Sequence, residues 1–257
     1  MPRTIKLTLQ YDGTDYVGWQ RQAEGLSIQG LLEDALRPIE GTHVTVHGAG
    51  RTDAGVHALA QVASIRLTAT LDAVTLARAL NAVLPRAVRV RDAADVADDF
   101  HARFSATGKH YRYRILNGGP GSPFELRYNW HVPQVLDFES MVRAATVLEG
   151  RHDFAAFAAA GTAAASTERT VTAVRVSRGV AAWDAPGTLV TIDVEGEGFL
   201  RHMVRNIAGT LVEVGLGRWP PSRMQEVLES RDRSRAGTTA PPQGLFLMEV
   251  RYAESPR

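Results

Sequence analysis

The sequence predicts a mixed α/β (α+β) protein of two ferredoxin-like β-α-β-β-α-β halves, a largely antiparallel sheet flanked by helices. Three observations predict it. Over the first half, segments of period-2 alternation and segments of helical periodicity follow one another in the order β-α-β-β-α-β. The second half approximates the same order, without enough identity between the two to make a sequence repeat. The change from one to the other falls near residues 100–108, so that the halves are residues 1–104 and 105–257.

The elements come in order. "IKLTLQY" sets Ile5, Leu7, Leu9 and Tyr11 against polar neighbours, a half-buried strand. "SIQGLLEDALRPIEG" carries Ile28, Leu31, Leu32, Ala35, Leu36 and Ile39 on one helical stripe, opened by Ser27 and stopped by Gly41. "HVTVHG" and "QVASIRLT" read as strands, Thr75 to Leu84 as a helix ended by Pro85, and "AVRVRDAADV" as the closing strand of the first half. In the second half "HYRYRIL" and "RYNWHV" read as strands and Phe138 to Leu148 as a helix. "TVTAVRVS" and "TLVTIDVEG" form a strand pair, and Arg201 to Val214 a further helix. A short helix begins at Ser222, where "SRMQ" has capping-box form, and "GLFLMEVRY" is the last strand. The alanine-rich run at 155–168 reads as a loop.

A chain of 257 residues is long enough to bury a real core, and 44% hydrophobic with 22% charged residues is an ordinary globular balance. No window approaches the roughly 20 apolar residues of a membrane span, and the N-terminus lacks the pattern of a secretory signal. The absence of cysteine excludes disulfides, thiolate metal sites and a cysteine nucleophile. A cytoplasmic protein is the simplest expectation. A net charge of +1 means that any nucleic-acid binding must come from local clustering of cations.

The stretch "HGAGRTDAGVHALAQ", positions 47–61, puts Asp53 among glycines and beside Arg51. Gly50 and Gly55 match the outer glycines of a phosphate loop, but Val56 and His57 stand where lysine and a hydroxyl are needed. The dinucleotide pattern would need glycine where Asp53 stands, and an acid there repels a pyrophosphate. Both nucleotide readings fail. A plain turn, with Thr52 or Asp53 capping a helix after it, is one remaining reading. The other is a nucleophilic carboxylate, held rigidly, kept ionised by a nearby arginine, and open to close approach because of the glycines.

From Phe100 to Arg114, "FHARFSATGKHYRYR" interleaves cations and aromatics with no acid. Phosphates meet Arg and Lys while splayed bases stack on rings, so the pattern suits nucleic acid; an edge strand with solvated charges is the alternative. In "GFLRHMVRNIAGTLVEVG", His202, Arg205, Asn206 and Gly209 share a polar helix face opposite a core side of Leu200, Met203, Val204, Ile207 and Leu211. His43 and His47 are four apart, but on a strand, which removes helix-type metal ligation. No G-x-S-x-G elbow exists for a serine hydrolase.

Taken together, "YDGTDYVGWQRQ", "GAGRTDAGVHA", "DDFHARFSATGKHYRYRI", "HMVRNIAGTLVEVG" and "GLFLMEV" resemble, in the same order and over nearly the whole chain, the bacterial tRNA pseudouridine synthases of the TruA type. The resemblance implies the pseudouridine synthase fold and isomerisation of uridine to pseudouridine at positions 38, 39 and 40 of the tRNA anticodon stem-loop. It implies no cofactor, no metal and a homodimer. Residue by residue, Asp53 matches the catalytic aspartate of the first half. In the second half, Tyr111 matches the residue that stacks on the target uracil and Arg205 the arginine that pairs with the aspartate. Leu245 matches an apolar wall of the base pocket. Arg51, Phe100, His101 and Arg103 fall where the family contacts tRNA.

One departure is that positions 158–168, "AAAGTAAASTE", hold no cation where the family uses a tRNA-contacting loop. RNA binding is then expected to lean on 100–114 and to depend less steeply on salt than in a more basic relative. Two rival readings remain: an RNA-binding module without catalysis, and a hydrolase in which Asp53 activates water.

Overall fold

A computed structural model describes residues 2–161, 165–181 and 187–253. The alternation of the opening segment becomes β1 (Arg3–Tyr11), with Ile5, Leu7 and Leu9 fully buried. α1 (Ile28–Glu40) starts where Ser27 accepts the Gly30 N–H and stops at Gly41, whose φ of 79° closes the helix. β2 (His47–Gly48), β3 (His57–Leu67), α2 (Ala73–Val83) and β4 (Val88–Val96) complete the predicted order of the first half. β1 runs antiparallel to both β3 and β4, β2 pairs antiparallel with β3, and α2 lies against β4.

β2 is shorter than expected. Val44 and Val46 are buried and their neighbours exposed, so the alternation is real. The main chain there is satisfied by α1 instead of a strand: Gln29 Nε2 donates to the Val46 carbonyl at 3.1 Å, and Glu33 Oε1 accepts the Val46 N–H at 3.4 Å.

The second unit contains β5 (Ala106–Asn117) from Gly108 onward, α3 (Pro123–Leu126), β6 (Trp130–Val132), α4 (Phe138–Ala145), β7 (Gly150–Asp153), β8 (Glu168–Val180), β9 (Thr188–Gly196), α5 (Met203–Gly215) and α6 (Arg223–Ser230). β5, β9, β8 and β7 are antiparallel neighbours in that order, and β6 pairs in parallel with β5. α4 packs on β8, α5 and α6. The last strand, β10 (Leu245–Tyr252), belongs to the first unit in all but Leu245 and pairs in parallel with β3 through Phe246–His57 and Leu247–Ala58. By their contacts the two units are residues 1–107 with 246–257, and residues 108–245. The protein is thus a mixed α/β fold with mostly antiparallel sheet flanked by helices.

Three local expectations are corrected. Ser222 has helical dihedrals and makes no side-chain cap, so its capping box does not form. "RYNWHV" is strand only from Trp130, because the Asn129 side chain turns back onto the Glu125 carbonyl and carboxylate of α3. The alanine-rich run is core at its start: Ala156 and Phe157 are fully buried, like Phe154 just before the run, and Ala158 and Ala159 nearly so. Positions 162–164 of that run lie outside the described residues. Among the described residues no helix is long and apolar enough to cross a membrane.

Candidate functional site

The Asp53 loop joins β2 to β3 and is tied down by the segment that leaves β1. Trp19 N–H donates to the Thr52 carbonyl at 3.0 Å, Gly55 N–H to the Tyr16 carbonyl at 3.4 Å, and Val56 N–H to Asp53's own carbonyl at 3.1 Å. Below the loop, the Tyr11 hydroxyl bonds Thr52 Oγ1 at 2.9 Å and meets Gln61 Nε2 at 3.4 Å, while Gln61 Nε2 also donates to the Gly50 carbonyl at 2.8 Å. Burial pushes the Tyr11 phenol up to about 12, slightly offset by those two bonds, so it stays a neutral hydrogen-bonding strut. Gly18, at φ 103°, lets its segment lie directly on the Thr52–Ala54 backbone. Asp53 is partly exposed, flanked by buried Thr52 and exposed Ala54.

Gly48, just ahead of this loop, therefore serves a purpose the sequence suggested only in part. The space a side chain on Gly48 would need is filled by the Trp19 ring. The "YDGTDYVGW" motif is the clamp of the "GAGRTDAGV" loop, and the pair of motifs is one structural device. His57, at the end of the loop, is buried with its ring stacked 4.6 Å from Phe246, and its Nδ1 meets the Gly13 N–H at 3.1 Å and Asp12 Oδ1 at 3.2 Å.

Of the other predicted residues of the first unit, Phe100, His101 and Arg103 lie on the segment that docks on Ser64 through Ala102. β2 sets His47 opposite Ser64, and Ser64 Oγ accepts the Ala102 N–H at 3.1 Å. Tyr252 OH donates to the Ala102 carbonyl at 2.8 Å, and its ring lies 5.0 Å from that of Phe100. His101 Nδ1 accepts the N–H groups of Arg103 and Phe104 at 3.1 and 3.4 Å, which leaves its proton on Nε2. Burial, then the neighbouring His47, then Arg103 hold the His101 ring below the usual histidine value. Arg51 and Arg103 are exposed.

In the second unit Tyr111 is buried, with the Phe199 ring edge-on at 5.1 Å. The polar stripe of α5 packs on the 237–241 segment. Arg205 Nε donates to the Ala240 carbonyl at 2.7 Å, and Ala240 N–H donates to the Arg205 carbonyl at 3.2 Å. Asn206, fully buried, donates to the Phe157 carbonyl and accepts from Thr239 and Arg233. Gly209 sits where any side chain would strike the Thr238 carbonyl. Leu245 is buried and comes after Gly244, which lies against the Tyr113 ring.

Tyr113 and the His110–Arg112–Asp193 group went unread in the sequence. Tyr113 is fully buried, and its hydroxyl donates to the Pro241 carbonyl at 2.7 Å; burial drives its phenol far up, an effect that nearby Arg205 partly opposes. Its period-2 spacing from Tyr111 was the available signal. Asp193 Oδ1 pairs with His110 Nε2 at 2.5 Å and with Arg112 Nε at 2.8 Å; burial pushes its carboxyl up, and these bonds outweigh that and hold it below the usual range. That contact crosses from β5 to β9, which spacing along the chain does not reveal.

The family model described as tRNA pseudouridine synthase matches residues 8–105 and 144–253. A tRNA pseudouridine synthase A of Myxococcus xanthus is 51% identical over 256 residues, covering 100% of this chain and 94% of the relative. Proteins of the same name from Syntrophotalea carbinolica and Sinorhizobium fredii are 49% and 46% identical, covering 97% and 98% of this chain and 96% and 100% of their own. Among solved structures, a chain of a Cbf5-Nop10-Gar1 complex aligns over 95% of this chain and 48% of its own at 14% identity, with a TM-score of 0.38.

Proposed function

Because the chain belongs to the tRNA pseudouridine synthase family, a family of isomerases that act on uridine in tRNA, we propose that it converts uridines 38, 39 and 40 of the anticodon stem-loop to pseudouridine, with Asp53 as the nucleophile. The observation that carries the reading is the Asp53 loop itself. Its main chain is fixed from two sides by the 11–19 segment and by Gln61, while Asp53 itself is only partly buried. A nucleophile gains most when its geometry is set before the substrate arrives.

A uridine in a stem is flipped out at a cost of a few kcal/mol, and stacking on Tyr111 returns about 1–3 kcal/mol. Asp53 attacks the nucleoside, the bond from N1 to C1′ breaks, and the uracil turns and bonds C1′ through C5; the bond to Asp53 is released, the C5 hydrogen leaves to water, and N1 takes up a proton in its place. We assign Arg205 to pair with the aspartate, Leu245 to wall the base pocket, and Arg51, Phe100, His101 and Arg103 to contact tRNA. The enzyme acts in the cytoplasm as a homodimer, and no step of this cycle calls on a metal or redox cofactor. Loss of the C5 hydrogen supplies the test. Wild type should release tritium from tRNA labelled with [5-³H]uridine and Asp53→Ala should not, with tRNA affinity nearly kept. Residual turnover within about tenfold of wild type would remove Asp53 from the nucleophile's role.

A further inference from the structure

In the first unit, three rings stand in a stepped row at the surface. His47 lies 4.9 Å from His101, centroid to centroid at 39°, and His101 lies 4.4 Å from Phe104 at 36°. Phe104 is 76% exposed, too much bare ring for the core to explain. The Arg103 guanidinium sits 5.5 Å from the same ring. The row is rigidly mounted. Ala102, between His101 and Arg103, is fully buried, with its N–H on Ser64 and its carbonyl taken by Tyr252, and the His101 N–H is held by Ser105 Oγ at 3.0 Å. His101 Nδ1 pins the Arg103 and Phe104 amides, which sets the direction in which the Phe104 ring leaves the loop.

We propose that the His47–His101–Phe104 row, capped by Arg103, is a stacking platform for an unpaired base of the substrate RNA, with Phe104 as the ring that meets it. The inference rests on the proposed tRNA isomerase function and deepens it by naming a subsite and its contacts. An exposed ring held by its own backbone loses little freedom on stacking, and the faces of all four bases fit it. Between Phe100 and Arg114 there is no carboxylate to repel a phosphate, while Arg103 stands beside the ring to meet one. A protein partner would call for a broad apolar surface. Here a single phenyl ring is flanked by imidazoles and a guanidinium, which matches the mixed stacking and charge of single-stranded RNA. The site differs from the target-base pocket assigned to Tyr111, because it engages a second nucleotide and needs no chemistry.

The test measures tRNA retention by the full chain in an Asp53→Ala background, beside a fully paired RNA duplex as control. Phe104→Ala and Phe104→Leu should weaken tRNA binding on the order of 5- to 100-fold. Phe104→Tyr and Phe104→Trp should stay within about threefold, and duplex binding should not change. His47→Ala should weaken tRNA binding in the same direction and His47→Phe restore it. Phe104→Ala within twofold of the parent, or Phe104→Leu binding as well as Phe104→Tyr, would overturn the platform. Tritium release by the chain with native Asp53 separates the two ideas. Release with no dependence of affinity on residue 104 removes the platform alone. Dependence on residue 104 without release keeps the platform and removes the isomerase reading.

Discussion

Gly18→Ala tests whether the clamp on the Asp53 loop matters to catalysis. A methyl group there would sit 2.5 Å from the Thr52 carbonyl oxygen, 3.0 Å from the Asp53 carbonyl carbon and 3.1 Å from the Ala54 nitrogen. Ordinary contact begins near 3.4 Å, so the difference, 3.4 − 2.5, is a displacement of about 0.9 Å imposed on the backbone that carries the carboxylate. A reacting group misplaced by about 1 Å can cost about 10²-fold in rate. The φ of 103° adds strain of about 1–3 kcal/mol for any L side chain. At about 2–4 °C per kcal/mol for a chain of this size, the melting temperature should fall by roughly 2–12 °C. Gly41→Ala is the matched control: φ is 79°, and nothing lies within 4 Å of the added methyl. It should lose stability through backbone strain and keep full turnover. Tritium release from labelled tRNA and thermal melting of both variants decide the matter. Turnover by Gly18→Ala within threefold of wild type, or an equal loss in Gly41→Ala, would refute the reasoning.

Tyr11→Phe removes a buried hydroxyl that bonds Thr52 and meets Gln61, and should cost about 1–3 kcal/mol in denaturant unfolding along with part of the turnover. Arg205→Ala should lower turnover at least about tenfold while the Kd for tRNA moves less than about threefold; a loss of affinity alone would make Arg205 a phosphate contact. His101 titrates below its unfolded value, so the unfolded chain takes up that proton more readily. Its neutral ring therefore sets no penalty above the unfolded value near 6.5, and stability should fall as pH drops through it. His101→Asn, which keeps an acceptor in place of Nδ1, should flatten the slope of melting temperature between pH 7 and pH 5.5 relative to wild type.

Local signals read well where local physics decides. Ser27, Gly41 and the apolar stripe gave α1 its two ends and its face, and alternation gave β1 its buried set. The α5 stripe was legible for the same reason: Gly209 and Arg205 mark a helix face pressed against backbone, and the 237–241 segment is that backbone. The failures came where partners are distant in sequence. "HVTVHG" has a strand's pattern, but Gln29 and Glu33 reach it across the loop and take its hydrogen bonds. The alanine run has a loop's composition, yet Asn206 fixes the Phe157 carbonyl and draws that stretch into the core. For the candidate site, the motif singled out Asp53, but the tie to Tyr16, Gly18 and Trp19 is a contact over more than thirty residues and has no local signature.

The hydrogen bonds that hold the Asp53 loop have a consequence for which molecule does the moving. The Trp19, Ala49 and Val56 amides bond to main-chain carbonyls of the loop and its neighbours, over the buried Tyr11–Thr52 strut. Such amides exchange with solvent only when the surrounding core opens, so the loop should show the slow exchange of a central strand and not that of a surface turn. A loop so fixed is expected to hold its place, not to close over its target. On the proposed function, the rearrangement that brings a stem uridine within reach then falls on the nucleic acid, and discrimination among tRNAs follows how readily each stem gives up its base.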